Sequence, residues 1–326
     1  MGFAIPLISR VPNRIPIMLN SDIYRETYGI RPFTVLDGLP PVYRLKGLFG
    51  STLLTTSPYL TDTPFAGFDN RKLMEYAEAC RELCERENAD YLLIKTRQPG
   101  FAEILRPGYK NSEAFVTTIL DLRGGEEPVW KERVEAKTRN QVRKGYKSEP
   151  VTRFGKHELL NDFFRVIAIT QTRLGTPVHS VRYFSNIIGH HPEAHLAVVY
   201  ISDRPVSAAL LLVRDAVLYH PYAGTLDEVK PESVNNVLYW EIIKFGMGKG
   251  CGAFDMGRSF KGSGNARFKN SWGGEEIQLY YCYYLNKRAG IPDYGSATMK
   301  LLTRLWSHLP VDFAKALGPR LIRSVP

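Results

Sequence analysis

Apolar spacing divides the chain into pieces of distinct period. Around residues 34–66 three short runs rich in β-branched and aromatic residues, FTVLDG, PVYRLKG and STLLTTSPYL, are separated by Gly and Pro, a pattern that predicts short strands joined by turns. Asn70–Glu87 then sets Leu73, Met74, Ala77, Leu83 and Cys84 near helical spacing behind Asp69, a residue suited to cap a first turn. Tyr91–Thr96 and Phe115–Leu122 read as strands. Pro128–Lys147 reads as one long helix, with Val134, Val142 and Tyr146 on one side and Arg139 and Arg143 four apart on another. A short strand at Val151–Phe154 follows, with helices at Leu159–Gln171 and Arg182–Ile188. The run AHLAVVYISDRPVSAALLLVRDAVLYHPYAG predicts an antiparallel meander turning at Ser202–Pro205 and again at Arg214–Asp215. Next come an amphipathic helix at Val234–Gly248, a strand ending Phe254–Arg258, a glycine-rich turn, the segment Ala266–Gly274 and a last strand at Ile277–Leu285. Both halves give strands, a helix, then a strand running into a polar loop, yet no sequence repeat of solenoid length is present.

Length and composition place this pattern among globular proteins. The chain has 326 residues, 44% of them apolar and 23% charged, enough for about two domains with separate cores. No apolar run reaches the ~18–20 residues that cross a bilayer, and the N-terminus lacks the uninterrupted apolar core of a signal peptide. Four cysteines in so long a chain make no disulfide framework. The expectation is a cytoplasmic two-domain protein. Its surplus of ten positive charges is concentrated: Lys131–Lys147 carries +5 and Thr298–Pro326 carries +4. A polyanionic partner would therefore meet two basic patches, the alternative being two solvated helix faces. In the second patch Leu301, Leu302, Leu305, Trp306 and Leu309 lie beside Lys300, Arg304 and His308, a pattern suited to an anionic membrane face or to packing between domains.

Chemistry gathers in Phe254–Gly274, FDMGRSFKGSGNARFKNSWGG, where Asp255, Arg258, Lys261, Arg267 and Lys269 fall among five glycines. Glycines let backbone approach a ligand closely, and cations beside them suit a phosphate or a developing oxyanion. The pattern FxxGRS…GSGxxxFKxxWG resembles the C-terminal signature of FemAB-like proteins of the GNAT acyltransferase superfamily. LKGLFGSTLLTTSPYL, TRNQVRKGYK, LGTPVHSVRYF and the C-terminal LLTRLWSHLPVDFAKALGPRL are similar to stretches of that family's polysaccharide- and peptidoglycan-associated branch, so the resemblance spans roughly residues 35–325.

That resemblance implies an α+β fold with two GNAT-like domains in tandem. The boundaries expected are 1–150, including the basic helix 128–147, then 151–290, then an amphipathic and basic helical tail over 291–326. Met1–Arg31 looks too irregular for the first strand and helix of a complete leading domain. The activity implied is N-acyl or aminoacyl transfer onto an amine of a cell-envelope precursor, with aminoacyl-tRNA or acyl-CoA as donor, no certain cofactor, and peripheral membrane contact through 298–326. The alternatives are an acyl-CoA- or acyl-carrier-dependent N-acetyltransferase of another small substrate, or a non-catalytic RNA- or membrane-binding module. By the same match Lys269 lies at the transfer site, where a positioned cation would stabilise an oxyanion.

Around Lys269, Asp255 is expected to orient Arg258, and Glu241 is a second carboxylate candidate for general base. Arg139, Arg143 and Lys144 would contact an anionic donor. Tyr183, Tyr222 and Arg267 complete the substrate-binding set, with His220 read as structural. The segment GTLDEVKPESVNN before Val234 lacks the glycine-rich phosphate cradle of coenzyme A enzymes, which favours a different donor. Gly246–Gly252 imitates a phosphate loop but ends a helix, so it reads as a C-cap. His190, His191 and His195 lack metal-ligand spacing, and Cys80 with Cys84 reads as helix packing.

Overall fold

The computed structural model describes residues 18–47, 50–65, 67–293 and 295–325. They open with α1 (Ser21–Tyr28), β1 (Pro32–Phe33), β2 (Val42–Lys46), β3 (Thr52–Thr55), α2 (Asn70–Arg86), β4 (Tyr91–Thr96), α3 (Pro99–Leu105) and β5 (Lys110–Asp121). A π-turn at Val129–Arg133 leads into α4 (Ala136–Tyr146), β6 (Val151–Gly155), α5 (Leu160–Arg173) and α6 (Val181–His190). The meander β7 (Ala194–Ile201), β8 (Arg204–Arg214) and β9 (Val217–Thr225) precedes α7 (Val234–Gly248). The chain closes with β10 (Ala253–Phe260), α8 (Gly264–Asn270), β11 (Glu275–Leu285), α9 (Ala297–Ser307) and α10 (Val311–Ile322). The class is α+β.

Two compact units interleave along the chain. The first comprises Ile15–Phe115, Gly175–Asn186 and Gln278–Pro326; the second contains Val116–Leu174 and Ile187–Ile277. Boundaries drawn at 150 and 290 follow chain order, whereas the contacts return 175–186 and the C-terminal segment to the first unit.

In the first unit β1, β2 and β3 are antiparallel, β3 runs parallel to β4, and β4 is antiparallel to β11 over Tyr280–Leu285. Helix α2 starts where the sequence places it, Asp69 Oδ1 accepting from Lys72 N at 2.7 Å. Its apolar face, Leu73, Tyr76, Cys80, Leu83 and Cys84, joins Leu54, Leu92, Ile94, Phe101 and Cys282 in one core. The cysteines are packing residues; burial pushes the Cys84 thiol up to about 12. FTVLDG is not a strand beyond Phe33, and strand pairing in STLLTTSPYL stops at Thr55. Thr56–Phe65 forms instead an irregular segment that is buried apart from half-buried Tyr59.

The second unit orders its strands β6, β7, β8, β9, β10, with β5 beyond β10. Both meander turns hold two central residues at positive φ, Ser202 (46°) with Asp203 (60°) and Asp215 (50°) with Ala216 (58°). That is the two-residue hairpin geometry whose twist matches the flanking strands. Helices α5 and α7 pack on the meander, and Gly250 (φ 74°) closes α7 as the glycine-rich C-cap predicts.

Two predicted helices break. Pro128–Lys147 is not continuous: the π-turn closes with Val134 N donating to Val129 O, Val134 is extended, and Glu135 N bonds Ser271 O at 3.0 Å before α4 begins. The cause is tertiary. Gly273 (φ 83°) approaches so closely that a Cβ there would lie 2.3 Å from Arg133 O. The predicted tail is two helices parted at Leu309–Pro310. α9 buries no residue, while α10 buries Ala314, Gly318 and Ile322. Of the irregular Met1–Arg31, residues 1–17 lie outside the described residues; Ser21–Tyr28 is a helix capped by Asn20 and Gly29.

Candidate active site

The parallel ladder of β9 and β10 in the second unit covers only three residue pairs, Val217–Ala253 to Tyr219–Asp255. At that point β9 bulges. Leu212 faces Tyr219 but Leu210 faces Tyr222, so His220 and Pro221 together oppose the single residue Leu211. Proline cannot donate to a ladder and is accommodated at such a bulge, which also turns Tyr222 to the same face as Tyr219.

On β10 the same level carries Asp255, buried, its Oδ1 accepting from Thr117 Oγ1 at 2.5 Å and from Gly257 N at 2.9 Å. Gly257 takes φ 70°, a conformation costly for residues with a Cβ, and turns its carbonyl toward α8. Ser263 caps that short helix by accepting from Ala266 N at 3.2 Å. From it Lys269 reaches back, 3% exposed, donating to Gly257 O at 2.7 Å and to Arg258 O at 3.1 Å. Burial draws its pKa down to about 8; Asp255 pulls the other way and the Arg258 charge adds to the fall. The ammonium therefore points neither into bulk solvent nor at Trp272 but at the glycine-opened turn.

His220 supplies the feature that sequence reasoning missed. Its ring is 6% exposed, lies 5.2 Å from the rings of both Tyr239 and Phe254, and neither of its nitrogens has a hydrogen-bond partner among the described residues. Burial, with the Lys269 charge next, holds its pKa near 3, so the ring is neutral at physiological pH. Trp272 Nε1 in the same aromatic cluster is also unpartnered. Buried nitrogens without partners are costly, and in native proteins they concentrate where a ligand or water is met. Pro221 within a strand was the available signal.

Among the other candidates, Arg258 and Tyr222 adjoin this cluster and the rest make their contacts elsewhere. Arg267 Nη1 closes its own turn on Gly262 O at 2.7 Å, and Arg258 is exposed. Tyr222 is half-buried on β9. Glu241 accepts from the Tyr146 hydroxyl and from Lys244 Nζ, which commits it to the α4 side of α7. Arg139 is committed to backbone, its Nη1 donating to the carbonyls of Trp130, Lys131 and Val134, where the π-turn leaves them open. Arg143 and Lys144 are exposed. Tyr183 belongs to the first unit, fully buried and stacked on His179 at 4.2 Å. Within the signature, Trp272 is core, Gly273 admits Arg133, and a Cβ on Gly274 would lie 2.4 Å from Thr118 Cγ2. No cluster of three or more His, Cys, Asp or Glu residues suited to a metal occurs among the described residues.

The strand fork thus combines a bulge, a buried lysine and a glycine-opened turn, and comparison with known proteins gives the fold around it. Residues 132–270 match the family described as acetyltransferase (GNAT) domain. Among solved structures, FemX has a TM-score of 0.63 at 15% identity, covering 82% of this chain and 90% of its own. L-PGS from Bacillus licheniformis has a TM-score of 0.60 at 15% identity, over 90% and 94%. The C-terminal domain (DUF2156) of a putative lysylphosphatidylglycerol synthetase from Agrobacterium fabrum has 0.61 at 12%, over 82% and 89%. No curated protein sequence matches. Residues 132–270 thus resemble a GNAT acetyltransferase domain, and the fold of the chain is that of FemX and L-PGS.

Proposed function

We propose that this protein transfers an aminoacyl or acyl group from an activated donor to an amine of a cell-envelope precursor, peptidoglycan or polysaccharide. One observation carries the reading: Lys269, a buried ammonium, is held at the turn where β9 and β10 part, beside a carboxylate and an unpartnered imidazole. The amine nitrogen would attack the acyl carbonyl carbon, forming the C–N bond. The C–O bond of an aminoacyl ester, or the C–S bond of a thioester, breaks. The amine proton passes to solvent or to the leaving oxygen or sulfur. Lys269 would place positive potential behind the Gly257–Arg258 turn as negative charge develops on the carbonyl oxygen, with nothing to reorganise at the barrier. Asp255 would hold that turn through Gly257 N.

An aminoacyl ester is favoured over an acyl-CoA because the approach to α7 is acidic, with Asp227, Glu228 and Glu232 where a pyrophosphate cradle would stand. The cell-envelope class is supported by two of the neighbours, whose names denote an aminoacyl phospholipid product. Peripheral contact with an anionic membrane is supported by exposed Leu301, Leu302, Leu305 and Phe313 beside Lys300 and Arg304. The test supplies purified protein with a radiolabelled aminoacyl-tRNA pool or with acetyl-CoA, each with lipid-linked envelope precursors. Label should pass from aminoacyl-tRNA to the precursor and stop in Lys269→Met. Transfer from acetyl-CoA alone overturns the preference for an aminoacyl ester, and full activity in the variant overturns the reading.

A further inference from the structure

A concave site lies in the second unit on the α4 side of α7. The π-turn Val129–Arg133, α4 and α7 enclose a cleft of about 410 Å³ lined by Glu126, Glu127, Trp130, Val142, Arg143, Tyr146 and Trp240. π-turns within helical segments are uncommon and cluster at functional positions. Here the turn brings Trp130 against Trp240, ring centroids 4.5 Å apart, and Arg139 fixes it by donating to two of its backbone carbonyls, Trp130 and Lys131, and to that of Val134 just after it. The Arg143 guanidinium lies 5.6 Å from the Trp130 ring centre, and the Tyr146 hydroxyl is tied to Glu241. Glu126 and Glu127 stand at the rim, Glu127 sharing its charge with Lys131.

We propose that this cleft binds the base of a nucleotide, stacked on Trp130 and Tyr146, with Glu126 and Glu127 accepting from an exocyclic amino group and Arg143 and Lys144 meeting the phosphate. Indole and phenol faces supply stacking area that any base can use. Carboxylates at the edge select bases that present N–H donors, as an acidic side chain reads an amino group in a groove. Arg143 in the lining, with exposed Lys144 beside it on α4, supplies the positive charge that a phosphate needs. The inference deepens the transferase reading, since aminoacyl-tRNA and acyl-CoA both carry a nucleotide; it rests on that reading for the identity of the ligand as donor, not for the site.

Calorimetric titration of the full chain with AMP, CMP, UMP, adenosine and tetramethylammonium tests it. AMP and CMP should bind saturably and more tightly than UMP, whose base has no exocyclic amino group. Trp130→Ala should weaken AMP about tenfold while Trp130→Phe keeps most of the affinity. Arg143→Ala, at an exposed position, should weaken AMP and leave adenosine unchanged. Glu126→Gln with Glu127→Gln should erase the preference over UMP. No saturable nucleotide binding, AMP affinity unmoved by Trp130→Ala and Arg143→Ala, or binding of tetramethylammonium in place of AMP each overturns the proposal. Lys269→Met separates the two readings. If it abolishes transfer and leaves AMP binding intact, both stand; if wild-type protein transfers but binds no AMP, the cleft proposal falls alone.

Discussion

Lys95 in the first unit and Lys269 in the second are both buried ammonium groups that donate to two backbone carbonyls, and their surroundings differ. Lys95 is 0% exposed on β4 and donates to Ser57 O at 2.8 Å and Leu60 O at 3.2 Å, pinning the irregular Thr56–Phe65 segment. Most of its polar neighbours are paired with one another: Thr63 Oγ1 with Thr56 Oγ1 at 2.6 Å and Ser57 Oγ at 2.7 Å, and Arg97 with Asp62 in a two-pronged bridge, while Thr55 Oγ1 at the end of β3 has no hydrogen-bond partner among the described residues. Lys269 makes the same two bonds beside His220 and Trp272, whose side-chain nitrogens have no hydrogen-bond partner among the described residues. A buried cation whose neighbours are mostly satisfied is a brace for loop carbonyls that water cannot reach. A buried cation among unsatisfied donors and acceptors keeps interaction capacity for something that binds there. The same side chain thus reads as scaffold in one unit and, under the proposed function, as part of the site in the other.

The largest effect belongs to the brace. Lys95→Met keeps the volume but strands two buried carbonyls, and charge-assisted bonds contribute about 1.5–3 kcal/mol each, so a loss of roughly 3–5 kcal/mol is expected in urea unfolding. A loss below about 1 kcal/mol would show the segment to be held by its own hydroxyl network, and the contrast with Lys269 would dissolve.

Lys269→Met should cost less, about 1–2 kcal/mol, because removing the two bonds also removes a cation that burial penalises. The pH dependence fixes the sign. Folded Lys269 titrates near 8 against an ordinary 10.5, so between those values the folded chain binds fewer protons than the unfolded one. This group therefore makes the fold more stable as pH rises from 8 towards 10.5. Transfer that depends on the ammonium should fall as pH passes 8. Urea midpoints of wild type and Lys269→Met across pH 7.5–10, set beside the rate profile, check both limbs. Stability and activity falling together would locate the titration elsewhere.

Much of this contrast was legible only in part from sequence. The meander turns and α7 stand where local chemistry places them, because positive-φ hairpin positions and a helical apolar period are short-range signals. The Pro128–Lys147 helix breaks through Ser271 and Gly273, well over a hundred residues away, a contact no local window contains. Lys95 hides in YLLIKT, which reads as an alternating strand although β4 is buried on both faces. Lys269 was found through the resemblance, but its partners, the carbonyls of Gly257 and Arg258, came only from the fold. His220 and Pro221 were on the page as HP within a strand, and only the register with Leu211 turns that pair into a bulge.

The smallest expected effect concerns Asp255, the carboxylate beside Lys269. Asp255 holds Gly257 N and Thr117 Oγ1, and Thr117→Val removes the second bond with little change in shape. Because Asp255 retains its backbone donor and its charge, stability should fall by about 0.5–1.5 kcal/mol and the rate profile should keep its midpoint. A midpoint that moves upward would mean Asp255 had swung toward Lys269, since a nearer carboxylate favours the ammonium. The turn would then depend on Asp255 through its attraction for the lysine, and Lys269 would be as much a brace as Lys95.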